Sequence, residues 1–359
     1  MIAKLLVEPE VRASLPLTTE MASTLRVPYA LRRVPESKLA CLLPCPESPE
    51  PGDIVLARLE KIGKNTRLEL ASGRTSNLHP GDLLAVTFGN RYASEQFEGY
   101  ARSEDVCCDL LSMGGVCGLV KTKHAAVPEP SKLRLLGALG DEHGRPLRLR
   151  DFALSPVPTS QWPSVLVVCG SAMDTGKTHT VSRLILGLRA QGQRVAAIKL
   201  TGTATGRDRW KALDTGACVA LDFVDGGYPS TYLCSLRELL DLHRTLLSQA
   251  TLHGAEWVVI EIADGLLQRE TAALLDSPEF RRTVDAWVFT TGDPLAAVGG
   301  LRTLAAHGIT PLVISGLISM SPLAMQEAHA ATGIECMTAE QLETGELNPH
   351  LRHLVGNRV

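Results

Sequence analysis

Residues 165–178 read V-L-V-V-C-G-S-A-M-D-T-G-K-T, an apolar run that enters a glycine loop and closes on Gly176, Lys177 and Thr178. Glycines let such a loop turn tightly, so its amides point inward at an anion. A helix starting where the loop ends adds its partial positive charge. A lysine at this place reaches the outer phosphates of a polyphosphate, and a hydroxyl directly after it suits a divalent cation. Gly170, Ser171, Asp174, Thr175, Gly176, Lys177, Thr178 and His179 are therefore the expected phosphate cradle. Five residues separate Gly170 from Gly176 where the common pattern has four, so the strict match begins at Ser171.

Further chemistry-bearing residues follow at the ends of apolar runs. Lys199 finishes R-V-A-A-I-K and is followed by a threonine- and glycine-rich stretch that reaches Asp208. A lysine there suits charge developing on a transferred phosphoryl group, and beside the strand that precedes the glycine loop it would act on the same ligand. Asp222 and Asp225 close C-V-A-L-D-F-V-D; paired carboxylates at such an edge hold Mg²⁺ or take a proton, while a helix-capping role also accounts for Asp225. Glu261 ends W-V-V-I-E, with Asp264 as its neighbour, and is the expected carboxylate on the metal side. The expected catalytic set is Lys177, Lys199, Asp208, Asp222 and Glu261, with Thr178, Asp222 and Glu261 as metal ligands. Gln268, Arg269 and Glu270 read as a solvated helix face that could touch substrate, and Asp293–Pro294 as a helix cap and first turn.

The elements that must position these residues follow from periodicity. Apolar strands are expected at 165–169, 194–200, 218–224, 257–263, 285–291 and 311–316. Helices are expected at 177–191, 235–252 and 294–306, with another at 266–275. Strands buried on both faces and alternating with helices predict a doubly wound, mainly parallel α/β sheet, whose ligands gather at the strand C-termini. Before it, Pro51-Gly52-Asp53 and Pro80-Gly81-Asp82 each lead into an apolar run, and Arg67–Leu70 and Val116–Val120 add further strands. This predicts a smaller β-rich, barrel-like domain over 1–155, a proline-rich linker at 156–163, the α/β domain at 164–340 and a tail at 341–359. The first 40 residues show no clear period. Within the β-rich part, 89–100 and 112–115 could line a cleft facing the nucleotide, although turn geometry is the simpler account of both.

Composition narrows the function. Of 359 residues, 45% are apolar and only 4% aromatic, which leaves few base-stacking platforms, and the net charge of −3 argues against a nucleic-acid partner or a membrane surface. No apolar run reaches the ~20 residues of a membrane span. The opening M-I-A-K-L-L-V-E-P-E carries an acid and a proline too early for a secretion signal, which makes the expected location cytoplasmic. The nine dispersed cysteines match no paired metal-knuckle spacing and read as small buried hydrophobes.

The α/β part resembles the dethiobiotin synthetase-like branch of P-loop proteins, which includes cobyrinate amidotransferase ATP domains and an accessory protein of molybdopterin-guanine dinucleotide synthesis. The likeness rests on the long loop from Gly170 to Thr178, on Lys199 followed by Gly202, and on V-V-I-E-I-A-D-G. The L-D-F-V-D-G-G stretch is similar to P-loop D-amino-acid N-acetyltransferases. Ala172 stands where the synthetase loop has an acid, Leu200 replaces a proline, and the β-rich part has no counterpart there. The resemblance implies Lys177 and Lys199 on phosphates, Thr178 on Mg²⁺, Glu261 in the metal environment, and a homodimer as many relatives form. The expected function is an Mg·ATP-dependent kinase or ligase acting on a small-molecule carboxylate, amine or hydroxyl. Two alternatives stand beside it: a nucleotide-switched accessory factor, and an acyltransferase that holds the pyrophosphate of acetyl-CoA in the same loop.

Overall fold

The structure is a computed structural model that describes residues 14–351. The opening stretch read against a secretion signal and the last part of the expected tail lie outside the described residues.

Among the described residues, ten strands make up the first part: β1 (Leu15–Pro16), β2 (Cys41–Leu43), β3 (Ile54–Lys61), β4 (Arg67–Glu69), β5 (Thr75–Asn77), β6 (Leu83–Phe88), β7 (Phe97–Tyr100), β8 (Cys107–Leu110), β9 (Val116–Lys123) and β10 (Ser131–Gly140). β3 and β6 each follow a Pro-Gly-Asp turn, and Gly52 and Gly81 take the positive φ (99° and 95°) that such turns demand. β3 pairs with β6 and β10, β6 with β9, β9 with β8, and β8 with β10, so five strands close on themselves as a barrel. Closure satisfies the strand edges that an open sheet would leave bare. Alternation then sorts β3 between two cores. Val55, Ala57 and Leu59 belong to the barrel's own cluster, whereas Ile54 and Leu56 join the core shared with the α/β part.

The second part carries β11 (Ser164–Gly170), β12 (Val195–Lys199), β13 (Val219–Asp222), β14 (Trp257–Glu261), β15 (Ala286–Thr290), β16 (Val313–Ser315) and β17 (Glu335–Cys336). They form one sheet in the order β13-β12-β14-β11-β15-β16-β17, and every pairing is parallel. The helices after the short α1 (Thr19–Thr24) are α2 (Lys177–Arg189), α3 (Arg207–Asp214), α4 (Leu236–Leu252), α5 (Arg269–Asp276), α6 (Pro278–Arg281), α7 (Pro294–Ala306), α8 (Pro322–Thr332) and α9 (Ala339–Thr344). Two layers result. Leu166, Val168 and Val259 face α2 and α9, while Val165, Val167 and Ile260 face α4, α5 and α7. The doubly wound parallel sheet is as expected.

Two placements differ from expectation, and one segment was not foreseen. The strand carrying Lys199 does not lie beside β11, because β14 and its Glu261 stand between them. Residues 341–351 are not a tail: Leu342, Leu347 and Leu351 are buried in the cluster that packs α2 on the sheet. The segment after residue 25, which shows no period, is well packed, for Tyr29, Ala30 and Leu31 are fully buried in the core shared by barrel and sheet. Short turns pinned by tertiary contacts carry no sequence period, so they are invisible to a periodicity reading. No helix among the described residues is long and apolar enough to cross a membrane.

Candidate functional site: a glycine loop under a barrel wall

β11 is buried along its whole length and delivers Gly170 to the sheet's C-terminal edge. Gly170 is required there, because a Cβ would stand 2.5 Å from Thr175 Oγ1 and 2.6 Å from Thr290 Oγ1. Gly176 (φ 95°) turns the chain into α2 as its N-cap, without a side-chain cap, so the first-turn amides of α2 are left to a ligand or water. Ser171 and Thr175 brace the loop from beneath: Ser171 Oγ donates to Thr291 Oγ1 (3.3 Å), and Thr175 Oγ1 bonds Thr290 Oγ1 (2.9 Å).

Above the loop lies a cavity of about 540 Å³. Asp174, Gly176, Lys177, Thr178 and His179 line one side, with Lys199, Asp208, Glu261 and Asp264 from the neighbouring strand ends. Gly170, Ser171 and Thr175 shape the loop but do not line the cavity. Two strand-end loops are clamped together by Thr201, whose hydroxyl donates to the Ala263 carbonyl (2.5 Å) and accepts from the Ala263 amide (2.8 Å). That clamp holds the ends of β12 and β14 in register, and with them Lys199, Glu261 and Asp264.

The charges form a compact set. Lys199 is ion-paired with Asp208 and lies 3.4 Å from Glu261, whose carboxylate also accepts from Thr178 Oγ1 (3.3 Å). Burial opposes the Lys199 charge, but Asp208 and Glu261 outweigh it and hold its pKa above the ordinary value. Asp208 is driven up by burial, yet the Lys199 ammonium wins and its pKa ends lowered. Glu261 is pushed up by burial, only partly offset by Lys199. Lys177 donates to the Ala172 carbonyl at 2.6 Å, and burial lowers its pKa despite Glu261 and Asp264. Burial also raises Asp264, against the pull of Lys177 and Lys199.

Asp222 is the correction. It was expected at the metal, but both its oxygens are consumed elsewhere: Oδ1 accepts from Arg32 Nη2 (2.8 Å) and the Val224 amide (2.8 Å), Oδ2 from the Tyr29 hydroxyl (2.5 Å). Arg32 also reaches Asp225 Oδ2 at 2.7 Å. This buried cluster ties the segment before the barrel to the end of β13 and does not line the cavity. Glu270 is likewise no solvated face; it is buried and accepts from the Leu233 amide (2.9 Å). Asp293 caps α7, as read from sequence.

The barrel builds the opposite wall. Arg91, Tyr92 and Gln96, with Ser112 and Met113, face the same cavity, as do Lys64 and Asn65. The 89–100 and 112–115 segments thus supply part of that wall, while Gly115 takes the positive φ (93°) of a turn. Lys64 and Asn65 lie in a connection with no motif, and only the folded chain brings them here. The helix α3 that carries Asp208 is not among the predicted helices; it is short, and of its eight residues only Ala212 is buried, with Trp210 and Leu213 packed partly against the cores.

No family model matches the sequence, and no curated protein does. Among solved structures the chain is similar to the signal recognition particle 54 kDa protein of Aeropyrum pernix in complex with GDP. The TM-score is 0.37 and the identity 19%, over 56% of this chain and 50% of that one. It is also similar to the signal recognition particle receptor FtsY of Elizabethkingia anophelis in complex with GDP (TM-score 0.36, 14% identity, 50% of this chain and 57% of that one). FtsY of Mycoplasma mycoides is a third (TM-score 0.36, 11% identity, 56% and 70%). The chain spans about half the length of the first of these proteins. The parallel strand order, the loop at the end of β11 and the helix that follows it make the second part of this chain a P-loop α/β fold.

Proposed function

We propose that the protein binds a magnesium nucleoside triphosphate, ATP in the first instance, on the 170–178 loop and uses it to phosphorylate or activate a small molecule held against the barrel. The observation that carries this reading is the shared cavity: phosphate loop, acidic strand ends and polar barrel wall open on one volume of about 540 Å³. That is within the range of small-molecule sites. The donor set suits Mg²⁺, since the Thr178 hydroxyl and the Glu261 carboxylate are adjacent hard oxygen ligands. When bound, the ion supplies charge neutralisation on the phosphate oxygens.

The chain's own residues do the rest. Lys177 exchanges the Ala172 carbonyl for a phosphate oxygen, and Lys199 keeps Asp208 ionised beside it. Asp264 faces the same space with a raised pKa, closer to the operating pH, and is suited to take the proton of an attacking hydroxyl or amine. The likeness to the dethiobiotin synthetase-like branch supports kinase or ligase chemistry. A second reading, a nucleotide-switched factor, is favoured by the barrel's hold on the segment leading to Asp208. Glu69 accepts from the Gly206 amide (2.7 Å) and the Thr205 hydroxyl (3.1 Å), and Ser112 donates to the Ala204 carbonyl (3.2 Å). A change at Lys199 and Asp208 would thus reach the barrel.

Titration with fluorescent ATP and GTP analogues and with acetyl-CoA, with and without Mg²⁺, tests the reading. Lys177→Ala is expected to weaken nucleotide binding about 10–100-fold, the worth of one charge-assisted contact, with the melting temperature of the free protein kept. Unchanged affinity refutes the nucleotide site, tight acetyl-CoA binding without nucleotide binding replaces it with acyl transfer, and metabolite-independent slow hydrolysis favours the switch.

A further inference from the structure

Among the described residues, the Arg32 and Arg91 side chains are both largely covered, and their surroundings differ. Arg32 lies between Asp222 and Asp225, at 2.8 and 2.7 Å. Arg91, 8% exposed, has no carboxylate within ion-pair distance among the described residues. Its Nη1 donates to the Leu111 carbonyl and its Nη2 to Gln96 Oε1 (2.7 Å), both neutral acceptors, while its buried Nε has no partner. Asp264 acts on it only from beyond contact. A guanidinium keeps its charge, and a buried charge is costly until an opposite one meets it. Arg91 borders the cavity opposite the phosphate loop, with Gln96, Tyr92 and Asn65 as polar neighbours.

We propose that Arg91 is the anchor of the second substrate and that this substrate carries a carboxylate, which enters the barrel side of the cavity and neutralises the guanidinium. The inference rests on the proposed nucleotide site only for its other half. A carboxylate matches one guanidinium in both charge and planar, two-oxygen geometry. Burial pushes the Arg91 pKa down to about 10, and a bound anion reverses that pressure. Arg91 also lies over the Phe97 ring, with Cζ 5.8 Å from its centroid.

The test is thermal unfolding of the full chain, with and without a non-hydrolysable Mg·ATP analogue, titrated with acetate, succinate and glutarate. Sodium chloride at matched ionic strength and inorganic phosphate are the comparisons. A saturable rise in melting temperature with a carboxylate is expected, and with nucleotide present neither phosphate nor chloride should reproduce it. Arg91→Gln is expected to weaken that response about tenfold or more, and Arg91→Lys to recover part of it. Met113→Glu places a competing carboxylate on the same wall from a side chain that is 40% exposed, so it is tolerated by the fold, and it should also abolish the response. It decides the matter if Arg91→Gln does not fold. Carboxylate responses in both variants equal to wild type, or a wild-type response matched by sodium chloride or absent, overturn the proposal. The nucleotide-induced shift is read separately: its absence in wild type overturns the nucleotide site, and the carboxylate response of the nucleotide-free protein still judges Arg91.

Discussion

Asp222→Asn separates a metal ligand from a structural anchor. In the structure Asp222 accepts hydrogen bonds from Arg32, Tyr29 and the Val224 amide, at 2.5–2.8 Å, with its side chain only 3% exposed. The amide keeps one acceptor oxygen and turns a donor toward either the Tyr29 hydroxyl or the Arg32 guanidinium. Removing one member of a buried ion pair costs about 3–5 kcal/mol. Arg32 still has Asp225, which moves the expectation to the lower end, about 3 kcal/mol. At ~2–4 °C per kcal/mol for domains of this size, the melting temperature should fall by about 6–12 °C. Calorimetry measures the fall, and nucleotide titration with Mg²⁺ well below the variant's melting temperature measures the site. Affinity within about twofold of wild type is expected, because Asp222 does not line the cavity. Loss of Mg²⁺-dependent binding with stability unchanged would sink the assignment and return Asp222 to the metal.

Other outcomes follow from the buried titratable groups. Burial raises the Asp264 pKa, so the folded state binds that proton more tightly than the unfolded chain does, and the ionised carboxylate opposes folding as pH rises through its folded pKa. Asp264→Asn should therefore melt higher than wild type at pH 7.5, converge with it below the ordinary carboxylate range, and lose turnover; equal melting at both pH values contradicts the burial argument. His243 is buried with Nε2 bonded to Thr283 Oγ1 (2.9 Å) and Nδ1 unpartnered, and burial lowers its pKa to about 4. The unfolded chain takes up that proton first, so stability should fall by about 3 kcal/mol between pH 6.5 and 4 from this group alone. Denaturant unfolding of His243→Phe across that range should show a correspondingly shallower acid slope, and an unchanged slope would assign acid sensitivity elsewhere.

Much of this protein was legible because its chemistry sits on regular elements. The glycine loop announces itself by glycine spacing between an apolar run and an amphipathic helix. Lys199 and Glu261 stand at strand ends, where a parallel sheet gathers its ligands, so their alternation with helices was enough to bring them to one edge. The two Pro-Gly-Asp turns marked strands for the same local reason.

Contacts between distant segments were decided only by folding. Asp222 ends its strand as Glu261 does, and nothing in its neighbours distinguishes the two; the difference is that Tyr29 and Arg32, nearly 200 residues earlier, reach one carboxylate and not the other. Arg91 is an ordinary turn residue until barrel closure buries it opposite the loop without a counter-charge. Sequence by itself determined where the glycine loop sits between its strand and helix, because periodicity and turn chemistry are local. Which charges are paired and which remain open to a ligand depended on burial and long-range proximity, and those arise only when the barrel packs against the sheet.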